Sequence, residues 1–197
     1  MPKRSPRQGR SKATVGRIIR AATQIIVKGG YAALSTNAVA AKAGVGVASV
    51  YEYFDDKNDL LVAVLEQEMA AVWVTLESRL QRWLEADVDT ALHDLFSFAV
   101  GVITQRAELV RLAAEYVYGP ASLPAAARFL GQIEMLFRLL LGKFSRSASR
   151  DAALDAYLIT HGFVGICTGV ASGLPPGKTT DDVVEWLVRF SKGVITA

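Results

Sequence analysis

Apolar residues along this chain recur at spacings of three and four, and no run with the alternating period of a strand competes with them, so helices are predicted from end to end. The first, about Ala13 to Lys28, carries Val15, Ile18, Ile19, Ala22, Ile25 and Ile26 on one stripe with Arg17, Arg20 and Gln24 opposite, and Gly29-Gly30 ends it. A short second helix starts from a cap at Ser35 or Thr36 and packs through Ala38, Val39, Ala41 and Ala43. Gly44 then supplies the tight or left-handed backbone that a turn between crossed helices needs, with Val45 as the plug between them. The third helix is expected from about Val47 to Phe54, with Val50 and Phe54 inward.

Asp56 and Asp59 open a long fourth helix, in which Leu61, Leu65, Met69, Val72, Leu76, Leu80 and Trp83 keep helical spacing to about Leu84. Five more segments are expected near 88–104, 105–118, 122–146, 150–173 and 180–196, punctuated by Gly119-Pro120 and Pro175-Pro176-Gly177. The fold class is therefore all-α, with three short helices followed by six in a larger body.

The Ser35 to Lys57 stretch reads as a helix-turn-helix. A helix entering a major groove about 12 Å wide needs a slim leading face. Val47, Ala48, Ser49 and Glu52 are left facing outward. Val47 and Ala48 suit a thymine methyl, Ser49 a base edge or phosphate, and Glu52 a cytosine amino group. Tyr51 and Tyr53 carry hydroxyls suited to phosphates, and Lys57 lies in the first turn of the next helix, where free N–H groups also favour an anion. With Thr36 and Lys42 these form the candidate DNA-facing set. The bland alternative is an ordinary helical hairpin under a lid of Tyr51, Tyr53 and Phe54.

Charge changes the picture. Residues 1–54 hold nine Lys/Arg against the single acid Glu52, a balance of +8, while 55–197 hold 13 against 18, or −5, which together give the overall +3. A basic module on an acidic body is the electrostatic footprint of a nucleic-acid binder. Lys3, Arg4, Arg7, Arg10 and Lys12 crowd residues 1–12, a basic arm expected to be flexible and able to add phosphate or minor-groove contacts. The expected organisation is this arm, a DNA-binding domain over 13–56 and a body over 57–197.

Residues 14–65 resemble the TetR family of bacterial transcription regulators. The resemblance rests on Ile18, Ala21 and Ala22, Gly30-Tyr31, Thr36, Val39 and Ala40, Ala43-Gly44-Val45, Ser49-Val50-Tyr51, Tyr53-Phe54, Lys57 and Leu60-Leu61. Gly46 departs from it, because the family more often caps the recognition helix with Ser or Thr. The resemblance implies a DNA-binding domain of three helices, a regulatory and dimerisation domain of six, and a cytoplasmic homodimer. It further implies a double-stranded DNA operator, a small-molecule effector bound in the body, and repression more often than activation.

Gly162, Gly165, Gly169 and Gly173 fall on one stripe of the eighth helix, and each interior glycine costs roughly 1 kcal/mol relative to alanine. Close approach of a partner helix is a compensating reason, and the resemblance implies a four-helix bundle of the last two helices from two subunits. Val183, Val184, Leu187, Phe190 and Val194 are expected on the facing stripe. Trp73, Phe96, Tyr116, Phe129, Phe137 and Phe163 come from separate helices and are the candidate ligand-lining residues, with core packing as the alternative for each. Arg111, Glu115 and Arg138 can orient a polar group or simply be solvated.

Other classes find little support. His93 and His161 stand alone on their helices without metal-ligand spacing, Cys167 lies in an apolar run, and no glycine loop follows a strand, so no enzyme, cofactor or metal is expected. A lone cysteine suits a reducing compartment, and the basic N-terminus lacks the apolar stretch of a signal peptide. Tyr157 to Leu174 runs 18 residues without a formal charge, but its glycines, Thr160, His161 and Thr168 point to a buried helix in a soluble assembly rather than a membrane span.

Overall fold

In the computed structural model the described residues are 9–118, 123–145 and 151–196. Gly119-Pro120 and the first eight residues of the basic arm lie outside them. The described helices are α1 (Gly9–Gly29), α2 (Thr36–Ala43), α3 (Val47–Tyr51), α4 (Lys57–Glu85), α5 (Val88–Gln105), α6 (Ala107–Tyr118), α7 (Pro124–Phe144), α8 (Ala152–Ser172) and α9 (Thr180–Thr196). A 3-10 turn, Tyr31–Ala33, follows α1.

The chain divides into two compact units, residues 1–69 and 70–197. The division falls inside α4 rather than at 56, because Leu60, Leu61, Val64 and Leu65 are buried as deeply as the cores of the preceding helices. Helix α1 also begins four residues earlier than its apolar stripe suggested. Nothing between Gly9 and Ala13 breaks a helix, so Arg10 and Lys12 sit on its first turns rather than on an arm.

In the first unit, α1 packs on α2 and α2 on α3. Val15, Ile18, Ile19, Ala22 and Ile26 are buried with Leu34, Val39, Ala40, Val50 and Phe54. Full burial of each large aliphatic is worth about 1.5–3 kcal/mol, enough to hold helices too short to be stable alone. Ser35 caps α2, its hydroxyl accepting from the Ala38 amide at 3.2 Å.

In the second unit, α5 packs on α6, α8 and α9, and α8 packs on α6 and α7. Trp83, Leu92, Leu95, Phe96, Leu136, Phe137, Leu140 and Leu187 are among the buried residues of the core they share. Asp87 caps α5 through the Thr90 amide and hydroxyl, and Asp151 caps α8 through two amides. Thr179 and Asp182 form a reciprocal capping box on α9, the Thr179 amide donating to Asp182 and the Asp182 amide to the Thr179 hydroxyl.

Helix α8 is long and apolar enough to cross a membrane by length and composition. Within one chain it is buried on one side only: Ala156, Thr160 and Ala171 are covered, whereas Gly162, Gly165 and Gly169 are exposed.

Candidate nucleic-acid interface

The turn between α2 and α3 is built by a left-handed glycine. Gly44 has φ 64° and ψ 43°, its amide donates to the Ala41 carbonyl at 3.3 Å, and the Val45 amide donates to the Ala40 carbonyl at 3.1 Å. This pair of bonds satisfies the last carbonyls of α2 and reverses the chain. Val45 is half-buried behind the turn.

Helix α3 shows the two-faced pattern of a reading helix. Val50 is fully buried, while Val47 is 39% and Tyr51 50% exposed, and Ala48 and Glu52 are also open. Ser49 is half-buried and Lys42 exposed. The Thr36 hydroxyl lies 3.1 Å from the Tyr51 hydroxyl, placing two phosphate-competent groups side by side across the start of α2 and the end of α3. As the sequence implied, α3 has no side-chain cap, because Gly46 occupies that position. Lys12, Arg17, Arg20 and Lys28 are exposed along α1.

Two expectations need correction. Tyr53, expected to offer its hydroxyl to a phosphate, is buried, because three residues on from Val50 it falls on the same inward face. The Tyr53 and Phe54 amides both bond the Val50 carbonyl at 3.0 Å, so the turn after Tyr51 stays close to helical. The second concerns the α4 N-terminus. Asp56 Oδ1 accepts from the Asn58 amide at 2.7 Å and the Asp59 amide at 3.0 Å, so these groups are not free for a phosphate. Asp59 in turn accepts from the Asp55 amide at 3.0 Å. Whatever Lys57 offers DNA comes from its ammonium, which sits 4.5 Å from the centre of the Tyr31 ring.

In the body, the structure brings together three of the six aromatics singled out. Phe163 lies 5.7 Å from Phe96 and 6.3 Å edge-on from Phe137, ring centre to ring centre. Phe96 and Phe137 are buried; Trp73, Tyr116, Phe129 and Phe163 are half-buried. A groove of about 310 Å³ between α8 and α9 is lined by Phe96, Phe163, Leu158, Gly162, Trp186 and Phe190. Arg111 is engaged by the Ala171 carbonyl and Glu108, so it fastens α6 to α8 rather than standing ready for a ligand.

The dimer set also needs correction. Leu187 is buried in the core of its own chain, and Gly173 is the C-cap of α8 at φ 119°, not a stripe position. Helical spacing alone did not tell the inward row of α9 from the outward one. The outward row holds Trp186, which sequence reasoning missed, stacked on Phe190 at 5.1 Å with an interplanar angle of 7°. Both are about half exposed, as are Leu154, Tyr157 and Leu158 of α8.

The groups weighed for other chemistry are accounted for structurally. His93 Nδ1 pairs with the Ser97 hydroxyl at 3.3 Å, and His161 lies 4.2 Å from the Tyr157 ring. Burial pushes the Cys167 thiol up to about 12, which makes it a poor nucleophile. Among the described residues no group of three or more His, Cys, Asp or Glu is placed to hold a metal.

The slim exposed face of α3, the glycine turn and the helical body define a helix-turn-helix protein. Residues 18–64 match the family described as bacterial regulatory proteins, tetR family. Over that segment the chain carries the family's helix-turn-helix, and the fold as a whole is similar to solved structures of the family. It is 31% identical over 151 residues to the HTH-type transcriptional repressor KstR of Mycobacterium tuberculosis, a match covering 74% of this chain. The match spans 63% of that repressor's length. The fold is similar to the fatty acid degradation regulator FadR of Bacillus halodurans, with 19% identity, 95% of each chain covered and a TM-score of 0.67. FadR of Bacillus subtilis, solved with stearoyl-CoA, has 18% identity, covers 88% of this chain and 97% of its own, and gives a TM-score of 0.66.

Proposed function

We propose that this chain is a homodimeric transcription repressor that occupies a near-palindromic DNA operator and leaves it when a small molecule binds the body. The observation that carries the DNA half is α3: a five-residue helix with one buried valine, exposed Val47, Ala48 and Tyr51, a half-buried Ser49, and the exposed Glu52 as its C-cap. Small side chains let its backbone approach base edges, while Tyr51, Thr36, Lys42 and Lys57 meet phosphates on either side. The match to a repressor favours repression over activation.

The dimer is supported by α8 and α9. A Cβ added at Gly162, Gly165 or Gly169 would meet nothing within 4 Å, so no packing inside the chain requires glycine there. Close approach by a second copy of α8 gives those glycines a reason, with Trp186 and Phe190 covered in the same contact. Two recognition helices on a twofold axis would read half-sites about one helical turn apart.

The effector half rests on the Phe96, Phe137 and Phe163 cluster and on a structural neighbour solved with stearoyl-CoA. A ligand that favours one spacing of the two reading helices shifts affinity by its differential binding to the two states. The α4 helix, whose residues belong to both units, is the continuous connection between them.

A mobility-shift titration on DNA upstream of its own and neighbouring genes tests the reading, with salt and candidate small molecules varied. At least one fragment should bind with steep salt dependence and be released by a ligand. Uniform weak binding to every fragment would contradict it.

A further inference from the structure

Tyr31 is left unused by the interface described above, yet the chain is shaped to present it. Gly30 has φ 74°, a conformation that L side chains rarely adopt, and it turns the chain sharply out of α1 into the Tyr31–Ala33 turn. The half-buried Tyr31 ring then lies beneath the Lys57 ammonium at 4.5 Å, although the two residues are 26 positions apart. Lys57 is the first residue of α4 and is exposed.

The surroundings of Lys57 make its placement consequential. Asp55, Asp56 and Asp59 surround the start of α4, and the Asp56 carboxylate caps the helix amides. A flexible ammonium on a four-carbon stem next to three carboxylates tends to settle on one of them, and a charge so neutralised contributes little to a phosphate. An aromatic face holds the ammonium without neutralising it, because the ring quadrupole attracts the cation and carries no net charge.

We propose that Tyr31 is a positioning residue for DNA binding: its ring holds the Lys57 ammonium away from Asp55, Asp56 and Asp59 and ready for a backbone phosphate. The inference rests on the operator-binding reading above. Tyr31 itself touches no DNA in this account. What it sets is the charge that α4 presents, and that charge has to come from Lys57 because the capping carboxylate occupies the helix amides.

The test uses the full-length protein and the tightest-binding upstream duplex, titrated by fluorescence anisotropy over a series of salt concentrations. Lys57→Ala should flatten the slope of log affinity against log salt by about 1 per subunit. Tyr31→Leu should flatten it by a similar amount and weaken binding about threefold at moderate salt, while Tyr31→Phe, which keeps the ring, should behave as wild type. In the Lys57→Ala background, Tyr31→Leu should add nothing.

Equal losses from Tyr31→Leu with and without Lys57 would overturn the proposal and leave Tyr31 a purely structural residue; so would a Tyr31→Leu variant that keeps the wild-type slope. A readout that needs no variant to fold is the Lys57 ε-methylene resonance, which ring current should move upfield in the free protein and in the complex. A random-coil shift in both would equally overturn it. If wild type binds no duplex at all, the operator-binding reading fails instead, and the ring-current measurement still decides whether Tyr31 holds Lys57.

Discussion

The Thr36 hydroxyl sits 3.1 Å from that of Tyr51, tying the first residue of α2 to the last residue of α3. Because Tyr51 is half exposed, this bond holds a side chain at the surface rather than in the core. Tyr51→Phe should therefore leave thermal stability within about 0.5 kcal/mol and weaken operator binding several-fold. Tyr51→Ala should weaken binding much further with the helical circular dichroism unchanged. An undiminished affinity for Tyr51→Ala would remove Tyr51 from the interface.

Gly46 opens α3 with φ −68° and ψ 148°, a conformation any residue adopts, and a Cβ there meets nothing within 4 Å. Serine at this position can cap the helix and has fewer unfolded conformations to lose. Gly46→Ser should stabilise the protein by about 0.5 kcal/mol in a urea titration. A lower midpoint would mean that the α3 start is held by something other than its cap.

Much of this was legible beforehand. Helical spacing marked every described helix to within a few residues, and the expected caps Ser35 and Asp56 stand at the starts that the structure shows. Residue chemistry misled where helical phase would not have: the hydroxyl of Tyr53 suggested a phosphate contact, but Tyr53 stands three residues after the buried Val50 and is itself buried. On α9, a helix apolar on adjacent faces offers two stripes, and only packing on α5 shows that Val184 and Leu187 point in while Trp186 and Phe190 point out. The Tyr31–Lys57 stack joins residues far apart in sequence, which no local periodicity can register.

Asp94 gathers three donors from the end of α4. It accepts from Trp83 Nε1 at 2.8 Å and Arg79 at 3.2 Å, and it also pairs with Arg82. Burial alone would raise its pKa. The hydrogen bonds from Trp83 and Arg82, with the charges of Arg79 and Arg82, outweigh that and hold the carboxyl below the usual aspartate range. A carboxylate depressed in the folded state contributes stability that is present above its unfolded-state pKa, about 3.9, and is lost as pH falls through the folded value. Asp94→Ala leaves the buried Trp83 indole without its acceptor, so it should cost about 1–3 kcal/mol at pH 7. The gap from wild type should narrow below about pH 4; urea titrations at pH 7 and pH 3 that show the same gap would exclude a role for the charge.

Gly165 is exposed on α8, and a Cβ added there meets nothing within 4 Å inside the chain. Gly165→Leu should therefore keep each subunit folded while forcing two copies of α8 apart. Sedimentation should show monomers at concentrations where wild type dimerises, with operator affinity reduced at least tenfold. A dimer unchanged by light scattering would move the subunit contact elsewhere.

The most direct measurement of the central claim is selection of bound duplexes from a random-sequence pool by the wild-type protein, followed by sequencing and by the mass of the complex in solution. The account predicts an enriched near-palindrome with half-sites about one helical turn apart, bound by an even number of chains. Absence of any enriched sequence, or an asymmetric site bound by one chain, would contradict it.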